Sequence, residues 1–406
     1  MNNKVKFLLN ISFAAALCSC SVDRVVSVAH SVDVAKINID SALKEKSVRM
    51  SSYFKAPKTI ILETGPESAI GEVRSMEMFE GKIFVLDTKS QALFVFDGNG
   101  KYLHKIGRRG KGHGEYVDLS DFSIDRKNGI IYLWDEALDM AHKYNISDGG
   151  YVSSIKTERN GYNSYYMQYL DGRLFVNRTS LDVSGDNYML KEIDCETGVQ
   201  QASLLSAGSY NKGWNVPLRL PHSMFYSKNT DSPKYIEMFS DTIVSITPEG
   251  IVPSYVIQSK DFATAEEVAR ILEKRKEGDR NTDFAELYGK KRVFSFSQFV
   301  EFGNKICLKF YMGADRYYLL YDKKTKETVV TNMLVDDYIY ENNFIPMDLC
   351  YSDEKGVIAL LNSEYIHPFV KHIISEGLLD KNIDQYERLM NLTEESNPVL
   401  FYHELK

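Results

Sequence analysis

The sequence predicts an all-β fold, a six-bladed β-propeller with four-stranded blades whose ring is closed by an N-terminal strand. Three observations carry that expectation. A glycine turn followed by a short apolar strand recurs in GKIFVLD (81–87), GIIYLWD (129–135) and GRLFVNR (172–178), with the glycines 48 and then 43 residues apart. A period of that length suits one blade of four short strands. The chain holds 26 Tyr and 21 Phe against 2 Trp, a bias towards strand-forming residues. Finally, it has one strand too many before its first blade and one too few in its last.

The N-terminus reads MNNKVK, then FLLNISFAAAL, then CSC. A basic start, an apolar run of about ten residues and small residues before a cysteine describe a secretory signal. The run is too short for a bilayer-spanning helix, which needs about 20 apolar residues. Leu17-Cys18-Ser19-Cys20 resembles a bacterial lipobox. The expectation is a lipoprotein signal peptide over 1–19, lipidation at Cys20, and a tether over 20–57 with weak periodicity. A lipid anchor would then be the only link to a membrane, and the cell envelope the location.

The blades follow. The first runs VRSMEMFE, IFVLD, ALFVFD and YLHKIG, with Asp97-Gly98 a favoured hairpin pair. The second runs DFSID, IIYLWD, MAHKYN and YVSSIKT, and the third YMQYLD, RLFVNR, YMLKEID and VQQASLLS. The fourth is traced through HSMFYSK, KYIEMFS, DTIVSIT and IVPSYVIQS, the fifth through FSQFVEF, ICLKFYM, RYYLLYD and TVVTNMLV. The sixth supplies MDLCYSD, GVIALLN and PVLFYHELK, and the spare strand KTIILET (58–64) completes it. Closure matters because an open ring exposes strand edges. The propeller is expected over 58–406.

Two helical insertions interrupt it, at about 263–290 and 367–392. In TAEEVARILEKRKEG, Thr264 and Glu267 form a capping box, and Val268, Ile271 and Leu272 share a face. The second opens with Pro368 at a plausible first helical position. Both are expected to pack against the propeller.

Composition excludes some functions. The formal charge is −7, and loss of Lys4 and Lys6 with the signal makes it two units more negative. A nucleic-acid partner, which needs a basic patch, is not expected. Cys195, Cys307 and Cys350 are few and far apart, so they read as buried free thiols.

The runs IFVLD and LFVFDGNGKYLHKIGRRGKGHGEY, the later DTIVSITPEGIVPSYVI and the ending NPVLFYHELK resemble the six-bladed β-propeller lipoproteins of gut bacteria, related in form to NHL-repeat propellers. The resemblance spans roughly 58–406. It implies a fold and an envelope location, and lends no activity. His113 stands where that family usually has proline.

The loop GRRGKGHGEY (107–116) invites a phosphate-binding reading and fails it. His113-Gly114 follows Gly112 where a Walker loop needs Lys-Ser/Thr, and Glu115 stands where a dinucleotide fingerprint needs its third glycine. Both cradles also open a helix, whereas this loop joins two strands. It reads as a connector in which Glu115 pairs with Arg108 or Arg109. Asp87, Asp97 and Asp135 end strands without calcium-loop spacing and read as turn caps.

No catalytic residue or metal ligand is predicted, and no cofactor. In propellers the loops leading into the innermost strands form the channel mouth. Here they carry Arg108, Arg109, His113, Tyr162, Tyr165, Tyr166, Trp214, Arg219 and Tyr340, a mixture suited to a glycan, a peptide or an envelope protein. The expected function is non-catalytic binding at that rim. The alternative is a lactonase-like hydrolase with calcium in the channel, which would need convergence of Glu77, Asp121, Asp125, Glu301 and Asp348.

Overall fold

Short apolar strands that bury both faces cannot stand alone, and here six groups of four stack around a central axis. The computed structural model describes residues 24–25, 34–158, 163–180, 187–218, 220, 222–276, 283–339, 348–366, 368 and 384–406. The innermost strands are Val73–Phe79, Leu119–Asp125, Met167–Leu170, Phe225–Tyr226, Val293–Phe302 and Asp348–Ser352. Each begins an antiparallel run of strands, and in the first five blades the four blade strands run outwards in chain order.

The sixth blade closes as the strand count requires. Lys58–Ile61 pairs antiparallel with Val399–Glu404, placing Ile61 opposite Val399 and Lys58 opposite Tyr402. Ile60 and Leu62 then pack with Ile83, Phe94 and Phe96 of the first blade, sealing the ring with an apolar seam. Gly100, at φ +87°, is part of that seam. A Cβ there would lie 2.3 Å from the carbonyl oxygen of Ile61.

The segment expected as a tether is corrected by the structure over 35–49. Ala35–Asn38 adds a fifth, parallel strand outside Gly250–Gln258 of the fourth blade. Leu43–Glu45 does the same outside Thr328–Thr331 of the fifth, and Val48–Arg49 pairs with Leu334–Val335. Arg24–Val25 lies parallel to Gln200–Ser206 of the third. Outer strands present unpaired backbone groups, and this segment satisfies them on three consecutive blades. It is anchored by side chains too. Ile37 and Ile39 are buried among Ile243, Ile257 and Phe310, and Val48, Met50 and Phe54 among Val300, Phe302 and Phe401. Burying each such side chain contributes roughly 1.5–3 kcal/mol.

The first insertion is the helix Ala265–Lys276, followed by Ala285–Gly289. Its capping box forms as read: the Thr264 amide donates to Glu267 Oε2 at 2.9 Å, and the Glu267 amide to Thr264 Oγ1 at 3.3 Å. Val268 and Ile271 pack on Trp214, Phe239 and Phe294, a small core separate from those between the blades. Within the second insertion, Tyr386–Met390 is helical, and Leu389 packs into the core shared by the fifth and sixth blades.

Candidate functional site

Three blades hold their inner strands by one device. The carboxylate of Asp87, at the end of the second strand, accepts the amides of Gly71 (2.9 Å), Glu72 (2.8 Å) and Lys89 (2.9 Å). Asp135 accepts Val117 (2.6 Å) and Asp118 (3.3 Å), and Asn177 Oδ1 accepts Tyr165 (2.6 Å) and Tyr166 (2.7 Å). A polar residue ending the second strand therefore fixes the loop that leads into the channel, as the recurring LD, WD and VN pairs allow. In the first blade the loop so fixed delivers Arg74.

The channel is blocked part-way down. The fourth blade's inner strand is only Phe225–Tyr226, and the chain then turns into the channel. Lys228 Nζ donates to Asp121 Oδ1 at 2.9 Å and to the Phe122 carbonyl at 2.6 Å, both in the second blade. Asn229 Nδ2 reaches the sixth blade, donating to the Tyr351 hydroxyl (3.2 Å) and the Ser352 carbonyl (2.9 Å). Asp121 also accepts the Met167 amide and Ser223 Oγ, so one carboxylate ties the second, third and fourth blades together.

Above this floor lies a cavity of about 660 Å³. Its apolar wall includes Met76, Phe225, Phe299 and Tyr351, and its polar wall Arg74, His222, Lys228, Gln298 and Lys309. Glu72, Lys89, Glu364, Glu394 and Glu395 stand where the inner strands begin, so the second insertion flanks the mouth. Burial drives the His222 imidazole down to about 4, so it is neutral near pH 7. Its Nδ1 lies 3.0 Å from both the Ser223 carbonyl and the Tyr226 hydroxyl. Burial likewise raises the Glu77 carboxyl against the opposing Arg126 guanidinium 2.5 Å away, and lowers the Lys309 ammonium against Asp348 at 3.2 Å.

The acids considered as metal ligands are thus engaged elsewhere. Asp121 pairs with Lys228, Glu77 with Arg126, Asp348 with Lys309, and Glu301 with Lys234 and Lys323. Asp125 accepts from Asn128. Among the described residues no three His, Cys, Asp or Glu side chains converge to hold a metal ion.

Of the residues predicted for the rim, Tyr162, Arg219 and Tyr340 lie outside the described residues, as does Cys20. The other six do not line the cavity. Arg108 and Arg109 sit on the crossing between the first two blades, where Arg108 pairs with Glu115 at 2.5 Å and Arg109 Nε donates to the Val117 carbonyl. His113 stands edge-on to Tyr151. Tyr165 and Tyr166 do lead into the third blade, but Tyr166 is fully buried, its hydroxyl bonded to Leu220. Trp214 is core, 2% exposed and packed on Phe239 and Phe284.

The glycine loop folds on its own glutamate. Glu115 Oε2 accepts the Gly112 amide at 2.7 Å, and this bond, then Arg108, holds its carboxyl below the usual range. A Cβ on Gly110 would lie 1.9 Å from that carboxylate. The concavity is filled from within, as suits a connector.

The family model described as a domain of unknown function, DUF4934, matches residues 34–404. The chain belongs to this family. No curated protein matches it. Among solved structures, the DUF4934 chain is similar to a Bacteroides fragilis NCTC 9343 protein (BF0058) named on the expectation that it is exported. The TM-score is 0.71 at 19% identity, covering 92% of this chain and 100% of that one. A duf4221-family member from Bacteroides vulgatus ATCC 8482 aligns over 87% of this chain and 98% of that one, at 10% identity and a TM-score of 0.49. At such identities the first likeness is one of fold. Among the described residues of the DUF4934 chain, no helix is long and apolar enough to cross a membrane.

Proposed function

We propose that the protein is a lipid-anchored propeller of the bacterial cell envelope that binds a small ligand, the end of a glycan or peptide, in the channel cavity without transforming it. The observation that carries this reading is the blind cavity itself. It is sized for a small ligand, walled by aromatic and hydrogen-bonding side chains, and closed below by the Lys228–Asp121 pair. The acids of its inner wall, Glu77 and Asp348, are each paired with a cation, which favours fixed walls over a metal centre. The lipobox-like ending at Cys20, and the export expected of the similar Bacteroides fragilis protein, support the location.

Thermal unfolding of residues 21–406 against glycans, short peptides, lactones and divalent metals tests the binding. A ligand at about 100 times its dissociation constant adds roughly 2.7 kcal/mol to stability. A shift with one glycan or peptide class, lost on filling the cavity with Ser227→Trp, supports the reading. Stabilisation by calcium alone, reversed by a chelator, refutes it. Radiolabelled fatty acid incorporated by the wild type and not by Cys20→Ala tests the anchor.

A further inference from the structure

We infer that the ligand of this cavity carries a single carboxylate, and that Arg74 receives it. The inference rests on the binding function proposed above and specifies its chemistry. Charges in the wall come in matched pairs: Lys228 with Asp121, Arg126 with Glu77, Lys309 with Asp348. Among the described cations of the inner wall, Arg74 is the exception. Its Nη1 donates to the Leu220 carbonyl at 3.0 Å and its guanidinium stands 5.8 Å from the centre of the Tyr166 ring, yet no carboxylate pairs with it. Its Nε is shielded from water and has no partner at all. A guanidinium stays charged at any physiological pH, and a partly buried charge with no counter-ion is costly. Its planar fork matches a carboxylate.

Other groups around the cavity are also short of partners. Ser75 Oγ, Ser227 Oγ, Gln298 Oε1 and Ser363 Oγ are buried without hydrogen bonds. Ser227 and Gln298 adopt left-handed backbone conformations, at φ +50° and +52°, which non-glycine residues seldom hold. Strain of this kind collects at binding sites. These hydroxyls and the amide oxygen suit a ligand with several donors and acceptors beside its charge.

The mouth limits that charge to one. Glu72, Glu364, Glu394 and Glu395 outnumber Lys89 there, so a polyanion would be repelled on approach. A monocarboxylate whose remainder is neutral or cationic meets both fields. The carboxyl end of a short peptide and a uronic acid share this chemistry.

The test is calorimetric titration with matched pairs: N-acetyl dipeptides with free or amidated ends, glucuronate against glucose, and inorganic phosphate. The free carboxylate of one pair should bind roughly 10- to 100-fold more tightly than its uncharged partner, the range of a charge-assisted hydrogen-bond pair. Which pair responds separates peptide from sugar. Arg74→Gln should erase the preference, and Arg74→Lys should keep part of it, with both variants melting like the wild type when unliganded. Equal binding of charged and uncharged partners, or tighter binding of phosphate, overturns the inference and leaves the binding function standing. Binding of no member overturns both. Should Arg74→Gln fail to fold, the ligand pairs on the wild type decide alone.

Discussion

Replacing Lys228 by methionine removes the charge that closes the channel while keeping most of the side-chain stem. Lys228 is 5% exposed and its partner Asp121 0%, so neither charge can recover hydration in place. Breaking one partner of a buried pair costs about 3–5 kcal/mol. The lower end applies here, because Asp121 keeps three donors: the amides of Phe122 and Met167, both at 2.9 Å, and Ser223 Oγ at 3.1 Å. The carbonyl of Phe122 loses its lysine as well. The expected loss is therefore about 3 kcal/mol. Asp121→Asn in the same chain removes the stranded charge and should restore about 1–2 kcal/mol, so the two changes couple. Urea unfolding followed by both fluorescence and far-UV circular dichroism measures this, with coincident transitions licensing a two-state treatment. A loss under about 1 kcal/mol, or a double variant as unstable as the sum of the singles, would show that the pair does not hold the floor.

Three further outcomes are expected. Gly100→Ala must either move the Ile61 carbonyl, 2.3 Å from the new methyl, or leave a left-handed backbone. It should cost roughly 2 kcal/mol or more and be visible as a lowered urea midpoint, because it strikes the closing strand. A chain starting at residue 47 lacks the added strands on the third to fifth blades, and should self-associate in light scattering where residues 21–406 do not. The third concerns pH. His222 is held down to about 4, so the unfolded chain binds its proton first and stability falls as pH drops from about 6.5 towards 4, by up to about 3 kcal/mol. Glu237 is pushed up to about 7 by burial, so its contribution is present below its unfolded value and is lost as pH rises through 7. The two oppose each other between pH 4.5 and 6.5. His222→Asn should gain stability on acidification across that window and Glu237→Gln should lose it; parallel urea midpoints in both would refute the assignment.

What could be read from the sequence was whatever is local. Blade strands, the Thr264–Glu267 box and the self-filled glycine loop all depend on residues within one turn or one period, and the closing strand, paired with Val399–Glu404 at the other end of the chain, was legible only because the strands can be counted. The added strands escaped because AKIN, LKE and VR are too short for alternation to register, and parallel edge pairing is made by backbone atoms that every residue has. Trp214 was misplaced for a different reason. Position put it on a loop at the mouth, but the helical insertion supplies Val268 and Ile271 to bury it. In the cavity wall and its floor, Glu77, Asp348 and Asp121 carried a signal as acids on inner strands, whereas their cations did not. Lys228 sits at the end of HSMFYSK, where nothing marks a strand cut short after two residues.

That placement bears on where function lies in a repeat protein. A blade that satisfies its neighbours leaves nothing over for a ligand, and the first three blades do so through Asp87, Asp135 and Asn177. The cavity exists where the period fails. The fourth blade shortens its inner strand and sends Lys228 and Asn229 across the axis, while the sixth blade replaces a tight turn with the insertion that brings Glu394 and Glu395 to the mouth. Arg74 belongs to a regular blade, yet it is left without an acid because Leu220 and Tyr166 meet it from the loops leading into the fourth and third blades. Restoring a regular turn in place of the sixth-blade insertion should therefore keep the ring, read as an unchanged urea transition, and admit polyanions that Glu394 and Glu395 now repel, read by calorimetric titration.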